Sequence, residues 1–298
     1  MAVMSERAPA KINLTLDVLG RRPDGFHDLR TLMQSVSLCD KLTLTGRERP
    51  GLGVTSNLSF LPTDRRNLVR AAAAAFFARS GLTPPGLHLH LEKHIPVGSG
   101  MGGGSADAAA ALRLFNRFFQ AGLSHSDLET LAARVGSDVP FCVRGGTQLA
   151  EGRGERLTSL PPLPDCHIVL CKPSFSLSTA TVFSRVTATR ILWHPDHDGA
   201  LRALREGDLR ALSQRLFNVL SSSVPHGQRE IADICGTLLD AGALGALMSG
   251  SGPTVYGLFS DPDTARAVCE TLRACYPETF LARPLAAVSD DDAPAVTR

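Results

Sequence analysis

The chain has 298 residues, 43% hydrophobic and 20% charged, enough for one large or two ordinary domains around a sizeable core. Its 31 Lys and Arg against 29 Asp and Glu leave a formal net charge of +2, too balanced for a protein that coats nucleic acid or an anionic membrane. Any phosphate binding must therefore be local. An N-terminus without a signal-like apolar segment, no apolar run near the ~20 residues of a spanning helix, and seven scattered cysteines with no Cys-x-x-Cys pair together predict a cytoplasmic protein with free thiols.

In chain order, Ile12, Leu14, Leu16 and Val18 alternate with Asn13, Thr15 and Asp17, which predicts a half-buried strand with Lys11 and Asn13 on its polar face. A turn cluster at 20–25 and an apolar run at 29–38 complete a hairpin. A strand-turn region over 41–60 precedes a helix from about residue 67 to 80, broken by Gly81, Pro84 and Pro85. Leu87, Leu89 and Leu91 form a further strand. His88, His90, Glu92 and His94 tempt a zinc reading, but residues 88–94 span about 20 Å at roughly 3.3 Å per residue, too far for one ion, so they read as a solvated face.

A helix follows over 106–120, with Leu112, Phe115 and Phe119 on one stripe, and Ser124 with Asp127 opens another that ends at Gly136. The proline cluster at 161–164 marks a boundary, giving units 1–160 and 161–298. The second unit reads as a strand at 167–171, an irregular stretch at 172–195, helices at 200–219 and 229–241, strands at 244–248 and 254–259, a helix at 263–276, a strand at 279–288 and a frayed polar tail at 290–298. Strands alternating with helices predict a layered sheet with helices on one side.

The segment most able to carry chemistry is Pro96, Val97, Gly98, Ser99, Gly100, Met101, Gly102, Gly103, Gly104, Ser105 and Ala106, between a strand and a helix. Glycines let backbone N–H groups approach an anion, and the following helix offers unpaired N–H groups at a positive dipole end, so a polyphosphate is the natural occupant. Ser105 stands where a hydroxyl could reach phosphate or its magnesium. The Walker pattern fails because no lysine follows the last glycine. Gly98-x-Gly100-x-x-Gly103 matches the dinucleotide fingerprint, but that motif also needs a second strand ending in an acid, and helices stand there instead. A second glycine cluster, 248–254, reads on its own as a hairpin turn, and Asp138 on its own as a turn or cap aspartate. The sequence offers no hydrolase elbow, no metalloprotease helix and no basic run interleaved with aromatics.

Together, Pro9-Ala-Lys11-x-Asn13-Leu14, the glycine loop with its Ala106-Asp107-Ala108-Ala109 continuation, and Met248-Ser-Gly-Ser-Gly-Pro-Thr254 resemble the GHMP kinase superfamily. Arg22-Pro-Asp-Gly-Phe26-His27, Gly136-Ser-Asp138-Val-Pro-Phe141, Glu151-Gly-x-Gly-Glu155 and Lys172-Pro173 with Ser178-Thr179 narrow the resemblance to a branch that phosphorylates a cytidine-bearing alcohol for isoprenoid synthesis. The resemblance implies an α+β fold of two domains: a ribosomal-protein-like, ATP-binding unit over 1–160 and a ferredoxin-like unit over 161–298. It implies Lys11 and Asp138 as the catalytic pair, ATP on residues 96–106, and Asn13, Phe26, His27 and Phe183 on the acceptor, with Phe26 and Phe183 on the base faces and His27 on its edge. Mg²⁺ is expected on the phosphates, with no metal ligand assigned within the chain. The partner is a small-molecule substrate, with no nucleic acid, membrane or obligate protein partner inferred. Two departures stand out: Phe26 replaces a common tyrosine, and Val219 follows Asn218 where an acid is common.

Overall fold

The computed structural model describes residues 3–186 and 191–288. Two long strands, β1 (Val3–Arg21) and β2 (His27–Gly46), form the antiparallel hairpin. Both run well beyond the stretches their alternation marks. β2 is shared between two neighbours: its first part pairs with β5 (Thr147–Gly152) and its last part with β4 (Gly86–Glu92), against which β3 (Gly51–Ser56) lies parallel. β6 (Arg156–Ser159) closes one edge beside β5.

Helix α1 (Leu68–Ser80) starts where the Asn67 side chain accepts from the Val69 amide and stops at Gly81 in the left-handed region, both local signals. α2 spans Gly103–Phe118, so the last glycines of the loop are already its first turn and the helix begins earlier than its alanines suggest. α3 (His125–Ala132) carries the full Ser124–Asp127 capping box, and α4 (Val139–Arg144) follows Asp138. These helices and the first sheet enclose a core that includes Ile12, Leu14, Leu89, Phe76 and Phe115.

The second unit contains β7 (His167–Cys171), α5 (Thr179–Ser184), α6 (His197–Glu206), α7 (Leu209–Ser213), β8 (Phe217–Asn218), α8 (Gln228–Asp240), β9 (Gly245–Met248), β10 (Val255–Phe259), α9 (Pro262–Cys275) and β11 (Thr279–Ala282). The helix expected over 200–219 is instead two short helices broken at Gly207, whose left-handed backbone ends the first, and its last residues turn into strand. The last strand is shorter than expected, and the tail at 290–298 lies outside the described residues. The order β7-α8-β9-β10-α9-β11 with sheet order β11-β7-β10-β9, all antiparallel, is the ferredoxin-like arrangement, and the α+β fold class is as anticipated.

The two sheets are tied together. β8 adds parallel to β1, Tyr256 Oη donates to the carbonyl of Asn13 at 2.9 Å, and His197 Nδ1 lies 3.1 Å from Thr15 Oγ1. Consequently both faces of β1 are buried over residues 10–18, and the polar face there, expected to meet solvent, lies under the second unit. Lys11 and Asn13 are therefore desolvated, which sharpens their interactions.

Candidate active site

A cavity of about 1090 Å³ runs along this covered face, between the glycine loop at one end and the β1–β2 turn at the other. Its centre is Lys11. A register shift between Pro9 and Lys11 frees the Lys11 amide from the ladder, and it donates to Met101 O at 3.0 Å. The strand thereby holds the loop. Gly98, Gly100 and Gly102 all have positive φ, and a Cβ at Gly100 would run into the Ser249 carbonyl. Gly102 is the N-cap of α2 and provides no side chain, so the first-turn amides of Gly103, Gly104 and Ser105 keep no side-chain partner of their own. This cradle suits a triphosphate.

The Lys11 ammonium donates to Asn13 Oδ1 at 2.7 Å, and Asn13 Nδ2 donates on to Thr31 Oγ1 at 2.8 Å, which fixes the amide's orientation. Asp138 Oδ2 lies 3.4 Å from Lys11 Nζ. Asp138 stands at the N-cap position of α4 yet makes no capping bond, and its side chain keeps 38% of its exposure. A carboxylate that declines its local helix and faces a buried ammonium across an open cavity is placed to meet a substrate. The second glycine cluster is no ordinary hairpin: Ser249 Oγ donates to Gly100 O, the Thr254 amide donates to Ser99 O, and Gly250 lies against Lys11 and Asn13.

At the far end, the rings of His27 and Phe183 lie 5.4 Å apart and tilted by 34°, while Phe26 is half exposed beneath the Arg153 guanidinium at 5.0 Å. Burial and the Arg21 charge hold the His27 imidazole below its usual range, which favours the neutral ring. All the anticipated residues Lys11, Asn13, Phe26, His27, Asp138 and Phe183 line this one cavity, as do most of residues 96–106.

Several neighbours were given no site role by the sequence reading. Beneath the loop, the Lys93 ammonium bonds both Asp40 and Asp107, all three buried, and Asp40 also accepts from the amides of His94 and Ile95. Burial pushes the Asp107 carboxyl up to about 7, helped by the Asp40 charge and opposed by Lys93. A lysine just before the glycines and the aspartate in the loop's continuation were the available hints. Asn218 Nδ2 donates to Met248 O and Gly250 O, so this residue, in the first sheet, holds the second glycine turn against Lys11. Lys172, by contrast, pairs with Glu278 away from the cavity. Among the described residues no group of three or more His, Cys, Asp or Glu is arranged to hold a metal, and no helix is long and apolar enough to cross a membrane.

The family models for the GHMP kinases N terminal domain and the GHMP kinases C terminal match residues 67–146 and 200–278. The 4-diphosphocytidyl-2-C-methyl-D-erythritol kinase of Lachnoclostridium phytofermentans is 44% identical over 95% of this chain and 98% of its own length. The chain belongs to the GHMP kinases, in the 4-diphosphocytidyl-2-C-methyl-D-erythritol kinase family. The relative of that name from Moorella thermoacetica is also 44% identical, over 96% of this chain and 100% of its own length. A crystal structure of a 4-(cytidine 5'-diphospho)-2C-methyl-D-erythritol kinase superposes with a TM-score of 0.79 at 35% identity, covering 94% of this chain and 99% of that one. A homoserine kinase from Cytophaga hutchinsonii reaches a TM-score of 0.75 at 20% identity, a likeness of fold alone. The chain is thus an ATP-dependent small-molecule kinase.

Proposed function

We infer that the enzyme transfers the γ-phosphoryl of ATP to the 2-hydroxyl of 4-diphosphocytidyl-2-C-methyl-D-erythritol, a step of the non-mevalonate, methylerythritol phosphate route to isoprenoid precursors. The observation that carries this reading is the meeting of Lys11 and Asp138 at 3.4 Å beside the glycine cradle, with an aromatic cluster at the other end of the same cavity. The family names supply the acceptor.

Phosphoryl transfer asks the protein for positioning and charge stabilisation more than for covalent chemistry. On this reading residues 96–106 wrap the phosphates, and the Lys11 ammonium faces the oxygens on which negative charge grows. Asp138 accepts the proton of the attacking hydroxyl as its oxygen bonds to the γ-phosphorus and ADP leaves. Asn13 keeps Lys11 aimed. Phe26 and Phe183 offer π surfaces to the cytosine, and His27, held neutral, can donate from one ring nitrogen and accept at the other on the base edge. Mg²⁺ bound to the phosphates would neutralise part of their charge. The same reading takes 1–160 as the nucleotide-binding domain and 161–298 as the ferredoxin-like domain, with β8 crossing back to the first sheet. Seven unpaired cysteines favour a reducing, cytoplasmic setting.

A coupled ADP-release assay across the cytidine substrate, mevalonate, homoserine and galactose tests it. Turnover with the cytidine substrate alone is expected. Efficient phosphorylation of mevalonate or homoserine would overturn the acceptor assignment.

A further inference from the structure

We propose that Arg153 recognises the diphosphate of the acceptor and thereby restricts the enzyme to nucleoside diphosphate esters. The proposal deepens, and rests on, the acceptor reading above.

Arg153 is the middle residue of a tight turn between β5 and β6, flanked by Gly152 and Gly154 with φ of +73° and +114°. The turn is seated against the loop that carries the catalytic acid: a Cβ at Gly154 would lie 3.2 Å from the Ser137 carbonyl oxygen, one residue before Asp138. From this base the side chain reaches the other way. Its guanidinium lies 5.0 Å from the centroid of the Phe26 ring, beside the His27–Phe183 pair. Arg153 thus stands between the loop that carries Asp138 and the Phe26 ring, and both it and Arg21 line the cavity.

Between those two ends the acceptor carries two phosphates. A guanidinium presents a planar fork of donors that matches phosphate oxygens, and charge-assisted bonds of this kind are roughly twice as strong as neutral ones. A cation over a half-exposed phenylalanine is held far more weakly. Asp24, a carboxylate within its electrostatic reach, is already engaged by Arg22 at 3.1 Å and by the Phe26 amide at 3.1 Å. The guanidinium also covers the ring face a cytosine would stack on, so binding of the base displaces it and the diphosphate receives it. Neutral acceptors leave that cation without its partner, which is how a single residue discriminates between acceptor classes.

The test is calorimetric titration of cytidine and CDP into enzyme saturated with ADP, so that the glycine loop is already filled. Wild type, Arg153→Gln and Arg153→Lys are compared, with melting temperatures measured alongside. Wild type is expected to bind CDP at least tenfold tighter than cytidine. Arg153→Gln should keep the cytidine affinity within about twofold and lose most of the CDP gain, and Arg153→Lys should restore part of it. In turnover, the acceptor KM of Arg153→Gln should rise about tenfold, with kcat and the ATP KM little changed. A Gln variant that keeps the full CDP gain overturns the proposal. So does an equal loss for cytidine and CDP, which would make Arg153 a stacking partner only. If wild type neither phosphorylates the cytidine substrate nor prefers CDP to cytidine, the acceptor reading falls and this proposal with it.

Discussion

The amide of Lys11 donates to the carbonyl of Met101 at 3.0 Å, so the strand that carries the ammonium also anchors the glycine loop. On the proposed reading, the nucleotide cradle and the cation that faces it are therefore parts of one arrangement. A change in either should be felt in the other.

Gly102→Ala tests that coupling. The residue has φ +71°, which costs an ordinary L-residue roughly 1–2 kcal/mol, and its new Cβ would lie 3.1 Å from Lys11 Cγ. The expected outcome is at least a tenfold loss of kcat together with weaker ATP binding, read by steady-state kinetics and calorimetry. Unchanged values for both would mean that the loop and Lys11 move independently.

Lys11→Met and Asp138→Asn should each remove most of kcat while the Kd of either substrate changes little, the pattern of groups that act mainly in the transition state. Asp138 caps nothing and is partly exposed, so its variant should also keep the wild-type melting temperature. Near-normal turnover in either variant would remove that residue from the chemistry.

Phe183→Ala and His27→Ala should raise KM for the cytidine substrate at least tenfold, about 1.4 kcal/mol, with the ATP KM nearly unchanged. Since the two rings lie 5.4 Å apart, each supports the other and the double variant should cost less than the sum. Equal weakening towards both substrates would indicate a general folding defect instead.

The Lys93–Asp40–Asp107 cluster predicts a pH signature. The Asp107 carboxyl sits at about 7 in the fold against an ordinary value of ~3.9 in the unfolded chain. Between those values the folded state holds the extra proton, so this group's contribution to stability falls as pH rises through that window and levels off above it. His27 and His197, both held low by burial, act in the opposite direction, so the difference between variant and wild type is the quantity to follow. Asp107→Asn should gain stability relative to wild type from about pH 5 to pH 8 in parallel denaturation series. A difference independent of pH would show that Asp107 stays ionised throughout.

Much of this molecule could be read from its sequence, because the signals concerned are local. The stop at Gly81, the Ser124–Asp127 box and the alternation at 12–18 each depend on residues a few positions apart, and structure formed there matches them. Five glycines ahead of an alanine-rich stretch marked a loop running into a helix start for the same reason, and the loop with its positive-φ glycines stands there. Helix 200–219 failed because Gly207 and the partner strand β1 overrule the propensity of its remaining residues. What only the tertiary structure decided was which groups meet. The polar face of β1 is buried because the second sheet closes over it; sheet register between β2 and β4 brings Asp40 to Lys93, whereas the packing of whole elements, not sequence spacing, brings Asp138 at the start of α4 to Lys11 and Asn218 to Gly250. Such contacts depend on long-range packing of whole elements, whose geometry is set by the combined fit of many side chains and is not encoded in any one segment.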